Sequence, residues 1–370
     1  MRLAITGADG FLGRNLVLHL RERGTHEVLP IVQETSSADR RDRLAKADVV
    51  VHLAGVNRPK DEQEFAEGNA QFTAQLCDEL RAAGRAVPVI FSSSSQAVRD
   101  NAYGRSKRAA EAALEDYAHS TGANVAILRL SNVFGKWARP NYNSAVATFC
   151  HSVARGLPIR VDDPAATLRL VYVDDVVAAM LRMIEASVPE TGLVEIGPVY
   201  ETTVGELATL IQRFAAGRAD RGIEHVGTGL VRALYSTYVS YLPPESFSYA
   251  LTTHADQRGV FAEMMRTPET GQFSFFTALP GITRGGHYHH TKTEKFLVVQ
   301  GTARFGFRHV LTSERIDLVV HGEEVRVVET VPGWIHDITN IGTDVVVVLL
   351  WANEVFDPQH PDTIAAKVDG

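Results

Sequence analysis

The feature that most constrains this fold is a change of hydrophobic period along the chain. From Met1 to about Gly192, the runs LAIT, HEVLPIV, DVVVHLAG, VPVIFSSS and NVAILRL alternate with amphipathic stretches such as Arg14 to Arg23 and Ser106 to Ser120. Short β-branched runs separated by helical periods are the pattern of a parallel sheet with crossover helices. Short strand and helix candidates continue to Leu242, and Pro243 with Pro244 punctuates the chain. Beyond that pair come FSFFTAL, KFLVVQG, TARFGFR, RIDLVV, EVRVVET and DVVVVLLW, separated by Gly, Pro and Asp and with hardly any helical period. That spacing predicts an all-β sandwich or barrel. The expected fold class is an α/β, Rossmann-like doubly wound parallel sheet over residues 1–243, followed by an all-β barrel over 247–370.

Composition supports two cores and narrows the partners. With 370 residues, 45% of them hydrophobic, the chain is long enough to divide into two domains. A formal net charge of −7 lacks the basic excess of nucleic-acid binders, so no nucleic-acid partner is expected. Cys77 and Cys150, the only cysteines, lie in segments that read as helical, which suggests neither a disulfide framework nor a cysteine zinc site. The start MRLAIT lacks a signal-peptide pattern and VVVVLLW is too short to cross a bilayer, so a cytoplasmic protein without a membrane partner is expected. The cluster ADRRDRLAK reads as a solvated helical face.

TGADGFLG places Gly7, Gly10 and Gly13 between a strand and a helix candidate. Bare backbone there can approach a pyrophosphate while the helix N-terminus faces its charge. Further on, Tyr103 and Lys107 share one face of a helix expected to begin near Asn101. A lysine cation beside a phenol is expected to stabilise the phenolate and lower its pKa, and Ser94, at the preceding strand end, can hydrogen-bond the same substrate oxygen. The series TGADGFLG, VHLAG, the serine run, Tyr103 and Lys107 closely resembles the extended short-chain dehydrogenase/reductase family, over roughly Met1 to Leu242. The resemblance implies that Tyr103 is the acid/base, that Lys107 positions the nicotinamide ribose, and that Ser94 orients the substrate carbonyl. It further implies cofactor contacts from Gly7, Gly10, Phe11, Gly13, His52, Ala54, Gly55 and Lys107, and a sugar-nucleotide contact from Asn132. Family members that dehydrate the sugar carry an acidic pair after the catalytic hydroxyl residue. Here Ser95 and Gln96 follow Ser94, which disfavours dehydration. For the cofactor, Glu34 can take the ribose hydroxyls of NADH, or Arg40, Arg41 and Arg43 can reach the 2′-phosphate of NADPH; both remain open.

Near the other end, GGHYHHTKTEKF puts His287 and His289 on one face of an expected strand, with Glu294 after a turn, and PGWIHDITN supplies His336. Three imidazoles and a carboxylate suit Zn2+, Fe2+, Mn2+ or Ni2+. His309, His321 and His360 read as ordinary surface or core residues. The spacing HxHxxxxE and PGxxHxxxN resembles the cupin metal site, over roughly Phe247 to Gly370, which implies a jelly-roll barrel holding a divalent metal, Zn2+ first, whether catalytic or structural. DQRGVFAE is similar to a segment of cupin-type sugar epimerases.

With NYNSAVATFC (Asn141 to Cys150), LYSTYVSYLP (Leu234 to Pro243), HHTKTEKFLVV and NEVFDPQHPDT (Asn353 to Thr363), the fused whole resembles, end to end, the bifunctional capsular polysaccharide enzymes that make UDP-N-acetyl-6-deoxy-L-talosamine. That implies a UDP-linked 4-keto amino sugar as substrate, C3 inversion in the cupin half, C4 reduction with NADPH (NADH as the alternative) in the other, and a homodimer. Two readings compete: a single-site NAD(P)-dependent reductase or C4 epimerase whose cupin only binds sugar, and a non-enzymatic nucleotide-sugar sensor or scaffold. Tyr288, His290 and Lys295 are open candidates for the base at C3.

Overall fold

The computed structural model describes residues 1–267 and 269–369. The chain forms two compact units, Met1–Ile211 with Arg232–Leu242, and Gln212–Val231 with Pro243–Gly370.

In the first unit six parallel strands lie in the order Glu27–Ile31, Arg2–Thr6, Val49–His52, Val89–Ser94, Val125–Leu130 and Gly192–Leu193. Successive side chains on a strand point to opposite faces. Leu3 and Ile5 therefore enter one core with Leu16, Leu20 and Val177, whereas Ala4 enters another with Leu76, Leu80 and Leu114. Both faces are dry, which is why these strands read as apolar runs without alternation. Helices Phe11–Arg23 and Val173–Ala186 supply the first core, and Phe72–Ala82 and Ala102–Thr121 the second. Strand order reverses direction next to Arg2–Thr6, and doubly wound sheets open a ligand crevice at the carboxyl ends of the strands there.

The second unit is built on two antiparallel sheets. One runs Thr253–Asp256, Gly259–Thr267, Gly271–Ala278, Val346–Ala352, Glu294–Gln300 and Val327–Glu329; the other runs Arg315–His321, Thr302–His309, Trp334–Asn340, Thr283–Tyr288 and Ile364–Ala365. Phe276, Phe296, Val348, Phe305, Phe307 and Ile338 from both sheets fill one core, the packing of a cupin-type barrel. EVRVVET yields only the short strand Val327–Glu329, because a 3-10 turn over Gly322–Glu324 and a left-handed Val325 (φ 48) interrupt it. Residues 212–231 belong to this unit although they precede the Pro-Pro pair. Arg221 and Ile223 exchange main-chain hydrogen bonds of 2.8 and 2.9 Å with Arg266, a pairing between distant segments that no local pattern announces.

Candidate active sites

In the first unit the strand Arg2–Thr6 hands over to the helix Phe11–Arg23 through the glycine loop. Gly7 has φ +65, and a Cβ there would lie 2.8 Å from the Ala54 nitrogen; at Gly13 it would lie 2.1 Å from the Gly7 carbonyl oxygen. Only hydrogen fits at either place. Gly10 caps the helix without a side-chain hydrogen bond, and the helix has Arg21 and Arg23 in its last turn. Its first N–H groups and positive dipole end therefore face the crevice unclaimed by any capping side chain, as an anion site requires.

That crevice is a cavity of about 500 Å³ whose wall includes Gly7, Gly10, Phe11, Gly13, Gly55, Ser94, Tyr103, Lys107 and Asn132. Asn101 begins the second wall: its side chain accepts a 2.7 Å hydrogen bond from the Gly104 N–H and starts the helix Ala102–Thr121, so Tyr103 and Lys107 fall on its first turns. Burial raises the Tyr103 phenol above its ordinary value, and the Ser94 hydroxyl pulls it back only in part. The net direction for the phenol is upward, opposite to the lowering expected from a neighbouring Lys107. The Lys107 ammonium donates to the Ser92 carbonyl at 3.0 Å and sits 5.0 Å from the Phe91 ring centre, and burial lowers it to about 8, with Glu111 opposing. Glu111, itself buried, accepts a short hydrogen bond from Ser93 and a paired one from Arg129 at 3.0 and 2.6 Å. The end of the serine strand is thus tied to the helix carrying Tyr103.

His52 belongs elsewhere. Its ring is 0% exposed, with Nδ1 2.7 Å from the Thr6 hydroxyl and Nε2 2.9 Å from that of Thr73, and burial drives its pKa to about 3. The imidazole braces the strand ends and is closed to a ligand, a correction to the expected cofactor contact. Ala54 also lies off the cavity wall; its N–H and that of Leu53 donate to the Thr6 hydroxyl at 3.1 Å. Of the three arginines expected near a 2′-phosphate, Arg40 is held by Glu79 at 2.8 and 2.6 Å and Arg43 by the Pro30 carbonyl. Trp137, Arg139 and Tyr142 line the cavity too, from an irregular segment whose lack of period hid them.

In the second unit His287, His289, Glu294 and His336 bring one donor atom each to within 4.8 Å of one another. His287, next to last in the strand Thr283–Tyr288, pairs directly with His336 on Trp334–Asn340; Glu294 opens a strand of the opposite sheet. His289 lies just past the strand end, and not on it as expected, yet its ring centre stands 4.9 Å from that of His287. Nδ1 of His289 abuts the Asp362 carbonyl and Nδ1 of His336 the Trp334 carbonyl at 3.4 Å. Carbonyls only accept, so the protons sit on Nδ1 and both Nε2 lone pairs turn inward. They lie 3.2 and 3.4 Å from the same Glu294 oxygen, and Nε2 of His336 is buried without a hydrogen-bond partner. Two lone pairs and a carboxylate aimed at one another are stable around a cation, so the residues present fit a divalent metal.

Burial lowers His287 to about 4, which keeps its ring neutral as a ligand should be. Burial pushes the Glu294 carboxyl up, but the Lys292 ammonium beside it favours the charged form, and the group is held far below the usual carboxylate range. Lys292 is almost sealed, with Nζ 3.0 Å from the second Glu294 oxygen. Sequence reasoning missed it, although counting back by twos from Glu294 finds it. Of the open candidates, Tyr288 and His290 meet edge to face with ring centres 5.6 Å apart, and Lys295 pairs with Glu329.

These two sites and two folds define a fused nucleotide-binding and barrel protein, and the comparisons agree. Residues 3–197 match the NAD dependent epimerase/dehydratase family, and residues 254–364 match the polysaccharide biosynthesis C-terminal domain. The chain belongs to the NAD dependent epimerase/dehydratase family. It is 52% identical, over 100% of its own length and 99% of the relative's, to the UDP-2-acetamido-2,6-beta-L-arabino-hexul-4-ose reductase of Pseudomonas aeruginosa. The crystal structure of the capsular polysaccharide assembling protein CapF from Staphylococcus aureus covers 100% of both chains at 43% identity, with a TM-score of 0.93. A Thermotoga maritima UDP-glucose 4-epimerase shares the fold of 65% of the chain (98% of its own) at 21% identity and a TM-score of 0.56. The end-to-end resemblance expected from sequence holds. Among the described residues no helix is long and apolar enough to cross a membrane.

Proposed function

We propose that this chain is a two-site enzyme of surface polysaccharide precursor synthesis. Its second unit inverts C3 of a UDP-2-acetamido-2,6-dideoxy-4-hexulose, and its first unit then reduces the C4 ketone, giving UDP-N-acetyl-6-deoxy-L-talosamine. The observation that carries the reading is the full-length likeness, at 52% identity, to a reductase whose name specifies a UDP-linked hexul-4-ose.

In the cavity Tyr103 gives its proton to the C4 oxygen, and the burial that raises its pKa keeps the phenol protonated for that task. Ser94 orients the same oxygen, Lys107 holds the nicotinamide ribose, and Asn132 meets the sugar nucleotide. A nicotinamide dinucleotide, NADPH with NADH as the alternative, supplies the hydride when bound along Gly7, Gly10, Phe11, Gly13 and Gly55. In the barrel His287, His289, Glu294 and His336 are the ligands of a divalent ion, Zn2+ first, which supplies a Lewis acid for the ketone oxygen when bound.

The ketone fixes the order of events. The C3 proton is acidic only while C4 is a carbonyl, so inversion precedes reduction. Incubating the 4-ketone in D2O without nicotinamide and following C3 by NMR tests the reading: deuterium is expected at C3, and its absence would leave a reductase alone.

A further inference from the structure

The last residues of the chain lie against the histidine strand. Ile364–Ala365 pairs with His287 and Tyr288, and the Ala366 N–H donates to the Gly286 carbonyl at 3.0 Å. Just before this strand, Asp362 reaches the loop that follows His289. One carboxylate accepts the N–H groups of His290, Thr291 and Lys292 at 2.9, 2.7 and 2.8 Å, together with the Thr291 hydroxyl at 3.0 Å. The carbonyl of the same residue holds Nδ1 of His289. No other side chain touches the donor loop so extensively among the hydrogen bonds of the described residues.

We propose that Asp362 is the positioning residue of the barrel's metal centre: its carboxylate fixes the loop from His289 to Glu294 and its carbonyl fixes the tautomer of His289, so that the C-terminal strap and the ion bind cooperatively. The proposal rests on the four-donor reading of His287, His289, Glu294 and His336. Asp362 contributes no ligand atom. It acts by removing the freedom that the short connection between His289 and Glu294 would otherwise have, and by directing the Nε2 lone pair inward. Partners of this kind are worth about 10- to 100-fold in metal affinity. Coupling is reciprocal, so an ion at the centre must in turn hold the strap down.

The test uses the full chain stripped of metal by chelation and titrated with Zn2+ alone against a competing chelator. Asp362→Ala is expected to weaken Zn2+ binding by about 10- to 100-fold, and Asp362→Asn by less, since an amide keeps one acceptor oxygen for the loop. The control Asp357→Asn, on an exposed carboxylate of the same segment, is expected to bind as the unaltered chain does. In the unaltered chain, Zn2+ is expected to slow hydrogen exchange at the amides of His290, Thr291, Lys292 and Ala366, a readout that holds even if Asp362→Ala does not fold. Unchanged affinity in both Asp362 variants, or exchange at these amides indifferent to Zn2+, would overturn the proposal while leaving the metal centre standing. Failure of the unaltered chain to bind Zn2+ would overturn the centre and the proposal together.

Discussion

The two units assemble their chemistry in opposite ways. In the parallel-sheet unit Ser94, Tyr103 and Lys107 come from one continuous stretch, a strand end and the opening turns of the next helix, and they face an open cavity of about 500 Å³. In the barrel His287, His289 and Glu294 come from a strand end, the loop after it and the start of a strand in the opposite sheet, and His336 from a distant strand; His289, Glu294 and His336 are 1, 5 and 3% exposed. A parallel sheet offers its carboxyl edge, where local sequence gathers an acid and its companions beside room for a dinucleotide. A barrel offers its interior, where water is excluded and charges interact more strongly, so clustered donors require a cation. Burial serves both by favouring neutral forms: it keeps Tyr103 a proton donor and His287 a free lone pair.

The largest expected effect separates the halves directly. Tyr103→Phe should slow C4 reduction by about 10²- to 10⁴-fold, read from NADPH absorbance, while deuterium still enters C3 in D2O. Loss of both activities together would break the division. His289→Ala should do the converse, abolishing C3 exchange and lowering metal content by elemental analysis, with an affinity loss of at least about 100-fold since a ligand outweighs its supports.

Next comes pH. Burial sets Lys107 near 8, so its ammonium is present below that pH and lost as pH rises through it. KM for the nicotinamide should therefore climb by about tenfold per pH unit above 8, and Lys107→Arg should move that limb upward. C3 exchange should show no inflection from Lys107, and a shared limb abolished by Lys107→Arg would blur the comparison. The smallest effect is steric. Gly13→Ala forces a Cβ to within 2.1 Å of the Gly7 oxygen, which should cost the first unit about 1–3 kcal/mol and weaken nicotinamide binding, measured by denaturant melts and cofactor titration.

Much of this was legible in the chain itself, for a physical reason particular to each element. The glycine loop, the Asn101 cap and the spacing of Tyr103 and Lys107 are local events within a few residues. Short β-branched apolar runs likewise announced Glu27–Ile31 and Val346–Ala352 as strands, though not which neighbours they pair with. His52 was misread because its motif resembles a cofactor loop, whereas its partners Thr6 and Thr73 meet it only in the folded core. Lys292 lay within reach of a simple face count. Asp362 did not, since nothing near it in sequence resembles a partner for a loop 70 to 72 residues away.

Sequence alone therefore determined the two fold classes, the glycine cradle and the identity of the four clustered donors, because backbone sterics, side-chain periodicity and ligand chemistry act over short spans. Only tertiary structure decided where Lys107 spends its charge, that His52 is a brace, that residues 212–231 join the second unit, and that Asp362 clamps the donor loop. Each of those depends on burial or on hydrogen bonds between distant segments, and both exist only once the chain has closed on itself.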